Sequence, residues 1–325
     1  GGALTAHASV IIQNSLIDSN YINHNYTSTG EIVGAYGGAV AISYGGDTQE
    51  LSSWNNIPYS IFSSNIVSNT RVSVTGSIDG GYLRAQTKIK IENNLIINNS
   101  VSSDINQNGW DIRGGVMIEQ WNSDQAKPAP PMVFINNTVA YNKMQQPSSG
   151  SNAYVPGLMY SHNNNTGENA AVIGNNIIHS NQGYMDNDDY DEWGPSGTND
   201  GIAHLYNNLI GKTSKTGTDP VSGRPNFKNP SNGNYQLSMS SAAIDAGALS
   251  FTGGYSAPIK DLRGYYRVGT PDLGAYEAGA SKYILTMADD IAEGDRDFSG
   301  DTTFVKFSQK LTFTVTTGDI DGNVV

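Results

Sequence analysis

Three cationic side chains lie in or beside one set of repeated strands, where they could take part in a reaction on a bound polymer. They are Arg84, Arg113 and His162. A lyase that acts on a uronate polymer needs a cation to neutralise the carboxylate and a base to remove a proton. These three residues are therefore the candidate catalytic residues if the chain is a lyase, although no clustered Lys-Arg phrase marks a base.

Other catalytic classes have weaker support. A glycosidase needs two carboxylates about 5 to 10 Å apart. Glu119 offers one, with Asp111 or Asp124 as a second, but strand alternation predicts that Glu119 points inward. The chain has no cysteine and only five scattered histidines, so no cysteine nucleophile or zinc cluster is indicated. The sequence favours a binding protein over an enzyme.

All four tryptophans lie in loops beside the same strands. Trp54 and Trp121 flank one corner, and Trp110 and Trp193 flank the other. Such residues either cover the local core or offer stacking surfaces for the C–H faces of sugar rings. The predicted ligand-binding residues, which form a trough over these strands, are Trp54, Tyr82, Arg84, Gln86, Trp110, Gln120, Trp121, Tyr160, His162 and Trp193.

Two acidic loops predict calcium sites, because hard cations prefer six to eight oxygen ligands. The first runs from residue 185 to 194 and the second from 295 to 301. The alternative is that both are ordinary solvated loops; the second lacks the carboxylate expected at its twelfth place, where Lys306 stands. The predicted metal ligands are Asp186, Asp188, Asp189, Asp191, Glu192, Asp295, Asp297 and Asp301.

The stretch Gly80 to Asn99 shows what must position these residues. A Gly-Gly pair opens one short strand, an alternating run follows, and an Asn-Asn corner leads into a third strand. Period-two alternation predicts strands, and Gly and Asn favour tight corners. Three strands and three corners would form one triangular coil.

Similar phrases recur in six copies, at intervals of roughly 30 to 50 residues, which predicts a solenoid with insertions at its corners. Aligning the Gly-Gly pairs predicts one inward column of Leu4, Val40, Leu83, Met117 and Met159. Stacked coils place equivalent side chains about 4.8 Å apart, so amides can form ladders. The predicted columns are Asn14, Asn93, Asn136, Asn175 and Asn207, and then Asn20, Asn99, Asn142 and Asn181.

Composition narrows the partners. The 325 residues carry 30 acidic and 18 basic side chains, which gives a net charge of −12. Because binding of nucleic acid needs a basic surface, we expect no nucleic-acid partner. No run approaches the roughly 20 apolar residues of a membrane helix, so we expect no membrane insertion of this segment. The absence of cysteine leaves the compartment open.

The alternation of Gly-Gly-Ala-Val-like and Ile-x-x-Asn phrases resembles the repeats of right-handed parallel β-helices. It is similar to the repeats of polymorphic outer-membrane autotransporters and to the pectate-lyase-like superfamily. The phrases Ala-Ile-Asp-Ala-Gly, from Ala243, and Asp-Leu-Gly-Ala-Tyr-Glu, from Asp272, resemble the closing segment of secreted bacterial β-helix proteins of the choice-of-anchor type. The resemblance implies an all-β fold and an extracellular or cell-surface location.

The predicted organisation has three parts. Residues 1–213 form the solenoid, 214–279 form its C-terminal cap, and 280–325 begin a further β-rich, sandwich-like domain that looks truncated, so we expect further domains in a larger parent chain. Charged residues of the cap are predicted to make structural turns and ion pairs; they are Asp245, Asp261, Arg263, Asp272 and Glu277. The predicted function is adhesion or binding of a polysaccharide or cell-surface glycan, with a polysaccharide lyase or hydrolase and a ligand-free spacer as alternatives.

Overall fold

The structure is a computed structural model. It describes residues 3–24, 35–44, 54–74, 78–103, 112–113, 115–120, 129–145, 155–162, 169–183, 189–193, 203–213, 217–280, 283–288, 296–299, 302–305 and 312–317.

The described chain forms a parallel β-helix of stacked coils, as predicted. Its three main sheets each contain six strands, and every neighbouring pair within them is parallel. The first, here called the Gly-Gly sheet, contains Leu4–Ala6, Val40–Ser43, Leu83–Gln86, Val116–Gln120, Leu158–His162 and Tyr190–Trp193. The second contains Ile11–Gln13, Ser60–Ser63, Ile89–Glu92, Met132–Ile135, Val172–Gly174 and His204–Tyr206. The third contains Leu16–Asp18, Ile66–Ser68, Leu95–Ile97, Thr138–Ala140, Ile177–His179 and Leu209–Ile210.

Each coil is not a plain triangle, because further strands follow the third one. A fourth parallel sheet contains Tyr21–His24, Arg71–Val74, Ser100–Ser103 and Lys143–Gln145. A short fifth sheet contains Ala35–Tyr36, Ile78–Asp79 and Ile112–Arg113. The sequence predicted only insertions here, yet one apolar residue per fourth strand enters the core, as Val72, Val101 and Met144 do. That single apolar position was the available signal.

The core runs along the inside of the coils. Its inward side chains come from alternate positions of each strand, as expected for period-two pleating. Phe62, Phe134 and Ile173 come from the second sheet, and Ile96 and Val139 from the third; all five are 0% exposed. Equivalent residues therefore stack on one another from coil to coil, and each coil buries its apolar face only against its neighbours.

A buried asparagine ladder closes the corner between the second and third sheets. It consists of Asn65, Asn94, Asn137, Asn176 and Asn208. From Asn94 onward, each side-chain oxygen accepts a hydrogen bond from the side-chain amide of the ladder asparagine in the preceding coil, at 2.9–3.2 Å. The same oxygens also accept the backbone N–H of the ladder asparagine in the preceding coil. The predicted first column was therefore wrong by one residue, because the second asparagine of each pair, not the first, points inward.

The first asparagine of each pair has a different task. These residues adopt a left-handed backbone, with φ between 47° and 57°, which asparagine tolerates better than most residues. The residues of this left-handed column are Asn14, Ser64, Asn93, Asn136, Asn175 and Asn207. The tight turn that they make sends the following asparagine into the coil.

The second predicted ladder is present between Asn99, Asn142 and Asn181. Amide contacts of 3.0 and 2.9 Å join the three side chains. The ladder ends on the carboxylate of Asp189, which accepts from Asn181 Nδ2 at 2.9 Å. At its other end Thr70 replaces asparagine, and its backbone N–H still donates to Asn99 Oδ1 at 2.9 Å.

Residues 217–280, here called the C-terminal segment, lie along the side of the solenoid. Single parallel bridges first join Thr218 to Tyr206 and Val221 to Leu209, past the sixth coil. The segment then turns back over the outer faces of the second and third sheets, where Phe251 packs on Val172 and Leu273 packs in a cluster with Ile177. It does more than cover the last coil, the role predicted for it.

The C-terminal segment has few regular elements. Its strands are Phe227–Asn229, Asn234–Leu237, Ser250–Phe251 and Tyr255–Ser256, and its 3-10 turns are Pro230–Asn232 and Thr252–Gly254. Ion pairs hold it, as the sequence predicted: Arg263 Nη2 lies 2.5 Å from Asp261 Oδ2, and Arg267 Nη1 lies 2.9 Å from Glu277 Oε2. Beyond it, Tyr283–Ala288 pairs antiparallel with Thr312–Thr317, and Arg296–Ser299 pairs with Thr302–Val305.

Candidate functional site

A shallow pocket of about 230 Å³ lies on the outer face of the Gly-Gly sheet, across the first three coils. Parallel pairing brings its residues together, because Thr5, Ala41 and Arg84 occupy one column and Ser43 and Gln86 the next. The lining residues are Thr5, His7, Ala41, Ile42, Ser43, Arg84 and Gln86. The structure thus places Arg84 and Gln86 on the outer face of this sheet; that they bind a ligand stays a prediction.

An ion pair forms one wall of this face. Arg84 donates to Glu119 Oε2 through Nη2 at 2.6 Å and through Nε at 3.2 Å. The two side chains are 18% and 11% exposed, so each charge is mostly removed from water and compensated by the other. Glu119 therefore lies on the outer face with Arg84, and the prediction that it points inward is wrong.

Hydroxyl, imidazole and amide groups complete the pocket. His7 Nδ1 lies 2.7 Å from Ser43 Oγ, which links the first two coils at the surface. Thr5 and His7 are exposed, and Gln86 is half-buried. The pocket therefore presents hydrogen-bonding groups of both kinds, donors and acceptors, around one guanidinium that already has a counter-ion.

Beyond the third coil the strand register differs from the predicted one. Leu83 pairs with Val116 rather than with Met117, so the inward column is Leu4, Val40, Leu83, Val116, Leu158 and Tyr190. Met117 pairs with Arg84 and Met159 pairs with Met117, which places both methionines in the outward column. They are 1% exposed but lie outside the main core cluster.

A tyrosine ring explains the shift. Gly115, the second glycine of its pair, stands opposite Tyr82, and a Cβ on Gly115 would collide with the tyrosine ring and with the carbonyl of Pro156. The missing side chain leaves room for Tyr82, whose hydroxyl donates to Pro156 O at 3.0 Å. Matching Gly-Gly pairs by sequence therefore misaligns this coil by one residue.

Four predicted ligand-binding residues lie in the interior, and the shift accounts for three of them, Gln120, Tyr160 and His162. Tyr82, Gln120, Tyr160 and His162 are all 0% exposed. The Tyr160 hydroxyl donates to Gln120 Oε1, and Gln120 Nε2 donates to the carbonyl of Pro130 at 2.6 Å. The Tyr160 and His162 rings stack with centroids 5.2 Å apart. These four side chains brace the inside of the coils instead of lining a surface trough.

The tryptophans are only partly described. Trp54 is 3% exposed, meets the ring of Tyr44 edge-on at 5.4 Å, and accepts a hydrogen bond at its carbonyl from Lys88 Nζ at 2.8 Å. Trp193 stands opposite Ser161 in the last strand of the Gly-Gly sheet. Trp110 and Trp121 lie outside the described residues, and so does the side chain of Arg113. Whether the four tryptophans bind a ligand stays a prediction.

Most of the predicted metal ligands also fall outside the described side chains. The first acidic loop is partly a strand, since Asp191 pairs with Met159 and Glu192 with Tyr160. Asp189 is 5% exposed and ends the asparagine ladder. Asp297 pairs with Phe304 in a hairpin; Asp186, Asp188, Asp295 and Asp301 lie outside the described residues. No group of three His, Asp or Glu side chains that could hold a metal ion occurs among the described residues. Calcium binding stays a prediction.

Comparison of the chain with protein-family models, with curated proteins and with solved structures found no match. Among the described residues no helix is long and apolar enough to span a bilayer. The candidate site is defined by its own geometry, which is a pocket with hydrogen-bonding groups on the outer face of a parallel sheet.

Proposed function

We propose that this chain is a secreted or cell-surface module that binds a polysaccharide or a cell-surface glycan on the outer face of the Gly-Gly sheet. The pocket across the first three coils carries this proposal. It contains polar groups, it is open to the surface, and it lies on a scaffold whose equivalent positions repeat about every 4.8 Å. A polymer laid along the solenoid could therefore contact the first three coils in succession.

The chemistry of the pocket suits sugar hydroxyls. Thr5, Ser43 and Gln86 can each donate and accept, and His7 adds an imidazole. Arg84 gives directional N–H groups, but its charge is compensated by Glu119 at 2.6 Å. We therefore propose a neutral or weakly acidic glycan rather than a highly charged one.

The lyase alternative has less support among the described residues. His162 is 0% exposed inside the coil, and Arg84 already pairs with a carboxylate. A free base and a free cation on the surface would be needed for removal of a proton next to a uronate carboxylate. We therefore propose a non-catalytic binder. From the sequence resemblance we also propose that it is a bacterial surface protein of the pectate-lyase-like superfamily, with a choice-of-anchor type of ending.

The test is a glycan array followed by titration calorimetry on the glycans that bind. Arg84→Ala and Gln86→Ala should each weaken binding, Arg84→Ala by about 10-fold or more, because charge-assisted hydrogen bonds contribute roughly 1.5–3 kcal/mol. Thr5→Val removes one hydroxyl group from the pocket and should also weaken binding, and it leaves the Arg84–Glu119 pair intact. Arg71→Ala and Gln13→Ala are matched controls, since both residues are exposed on other sheets, and they should change nothing.

Two outcomes would overturn the proposal. If no glycan binds, or if the pocket and control variants behave alike, the face is not a glycan site. The alternative of a ligand-free spacer is then favoured. If the wild type releases unsaturated product from any uronate polymer, seen as new ultraviolet absorbance, the protein is a lyase.

A further inference from the structure

In four successive coils, the asparagine of the left-handed column forms a hydrogen bond with the C-terminal segment. Each asparagine side chain donates its Nδ2 to a backbone carbonyl of that segment. The pairs are Asn93 with Lys260 O at 2.6 Å, Asn136 with Asp272 O at 3.0 Å, Asn175 with Ala248 O at 2.8 Å and Asn207 with Ala246 O at 3.1 Å. The four bonds show that this corner repeatedly binds backbone carbonyls.

Apolar side chains on both sides of these asparagines add further contacts at this corner. On the second sheet, Val133 and Val172 are 1% and 2% exposed beneath the segment. On the third sheet, Leu95, Ile177 and Leu209 are at most 2% exposed, in clusters with residues of the segment such as Leu237 and Tyr235. One coil thus offers an amide donor between two apolar contacts.

The first coil has the same three parts, and they face solvent. Asn14 has a φ of 51° and an exposed side chain. Ile11 pairs with Ile61 in the second sheet, Leu16 pairs with Ile66 in the third, and both Ile11 and Leu16 are 68% exposed. Tyr21, at the start of the fourth strand of this coil, is 62% exposed. Apolar groups clustered like this on a surface mark an interaction site.

The second coil is intermediate, because the C-terminal segment reaches it in part: Tyr59 Oη lies 2.7 Å from Tyr255 Oη, and Ile66 packs against a cluster that contains Tyr235. Ser64 replaces asparagine at the corner there, and Ile61 and Ile66 are half-buried. At the third coil, where Arg267 Nη2 donates to Asn93 Oδ1 at 2.9 Å, the neighbouring residues Ile259 and Val268 are 75% and 52% exposed. The C-terminal segment therefore carries exposed apolar side chains near the third coil, and the exposed apolar groups of the first coil lie further along the same two sheets.

We infer that the first coil binds an apolar peptide segment of a partner protein, in the same way as the later coils hold the C-terminal segment. A backbone carbonyl of the peptide accepts a hydrogen bond from Asn14 Nδ2. Its small or apolar side chains cover Ile11 and Leu16. The occupant is a peptide because backbone carbonyls of the C-terminal segment occupy the equivalent corner in every one of the four coils from the third to the sixth.

The experiment uses the full chain and a synthetic peptide with the sequence of residues 242–253, which includes the stretch that lies on Asn175 and Asn207. A fluorescent label on the peptide reports binding by anisotropy, with peptide and protein at up to millimolar concentrations. We expect saturable binding, a loss of at least about 10-fold with Leu16→Asp, and a smaller loss with Asn14→Asp, which tolerates the left-handed backbone but removes the amide donor. Leu249→Asp is the matched control, since Leu249 is 67% exposed on the C-terminal segment.

The outcomes separate the occupants. Failure of the peptide to bind the wild type, or equal binding by the Leu16→Asp and Leu249→Asp variants, overturns the inference. Concentration-dependent dimerisation that Leu16→Asp abolishes, without peptide binding, would assign the surface to a second copy and also overturns it. Circular dichroism confirms that each variant is folded, and Leu16→Ser replaces Leu16→Asp if the latter is not. None of these results depends on the glycan pocket, which lies on the other sheet.

Discussion

The first two coils and the last four have the same inner structure but different outer walls. In the third to sixth coils, apolar residues on the outside of the second and third sheets are buried, as Val172 is at 2% exposure. In the first coil the equivalent positions are open, as Ile11 and Leu16 are at 68%. The C-terminal segment accounts for this difference, because it covers the later coils and reaches the second coil only at Tyr59 and Ile66 among the described contacts.

This difference shows that the two residues of each Asn-Asn pair do separate work. The second residue bonds coil to coil in both regions, from Asn65 to Asn208. The first one makes a left-handed turn everywhere, but it bonds to the C-terminal segment only in the later coils. Closure of the solenoid is therefore a property of the repeat, and the outer cover is an addition that stabilises one region.

The largest expected effect comes from Arg267, which holds the cover in place. Its guanidinium donates to Glu277 Oε2 at 2.9 Å, to Asn93 Oδ1 at 2.9 Å and to Gly274 O at 2.8 Å, and its side chain is 4% exposed. Arg267→Met leaves the buried Glu277 carboxylate without its counter-ion, which should lower the free energy of unfolding by about 3–5 kcal/mol. Hydrogen exchange measured by mass spectrometry should show lost protection in residues 246–277 and in the coils that they cover.

The first coil is the internal reference for that experiment. Protection of strands Ile11–Gln13 and Leu16–Asp18 should not change, and Arg71→Met, at an exposed arginine, should have no effect anywhere. Equal loss of protection in both regions would mean that the solenoid unfolds as one unit, and the two outer walls would then not matter to its stability.

A matched pair of asparagines gives the next effect. Asn136→Ala and Asn14→Ala both place alanine at a left-handed position, with φ near 53° and 51°, so that backbone penalty is shared. Only Asn136 also loses bonds to the C-terminal segment, to Asp272 O at 3.0 Å and Gly274 O at 3.4 Å. Its variant should be less stable by about 1–3 kcal/mol more than the Asn14 variant in urea unfolding. Equal losses would show that the side-chain bonds add nothing.

Much of the fold was predictable because the same residue types recur at the corners and along the strands of each coil. Gly-Gly pairs, alternating runs and Asn-Asn corners recur, and the structure places strands of three six-stranded sheets on them. The fourth strand was missed because it carries a single inward residue, such as Val101 between Ser100 and Ser102. One apolar residue in a polar insertion is a weak periodic signal.

The candidate site was predicted less well, because strand register depends on packing. The Gly-Gly pair at Gly114-Gly115 matches the others in type, but Tyr82 needs the space at Gly115. A shift of one residue exchanges the two faces of a strand. That shift put Glu119 outside and Gln120 and His162 inside. The first three coils have no such shift, and there the predicted surface residues Arg84 and Gln86 line the pocket.

Two titrating groups in one column of the third sheet extend the comparison to pH. Pairing runs from Asp18 in the first coil, through Ser68, to His179 in the fifth. Hydrogen bonds, first from Ser68 and then from Ser19 and Asn69, lower the pKa of the exposed Asp18 below its usual 3.8. Asp18 therefore stays ionised through mild acid, and its contribution to stability would be lost only at pH values below 3.8.

The smallest expected effect is at His179. Burial lowers the pKa of its imidazole below the usual 6.5, and the charge of Arg224 from the C-terminal segment lowers it further. The unfolded chain then binds a proton more readily than the folded one, so stability is full above pH 6.5 and falls as the pH drops through the folded pKa of His179. Burial raises the pKa of Asp272 to about 6, which gives a contribution of opposite sign in the same range, so the effect of His179 is read as a difference between variants. From about pH 7 to about pH 5 the melting temperature of the wild type should fall relative to that of His179→Gln, which cannot take up the proton, whereas Asp18→Asn should follow the wild type. A His179 ring that titrates at or above 6.5 in an NMR titration would contradict this, because a covered imidazole would then bind its proton as readily as a solvated one.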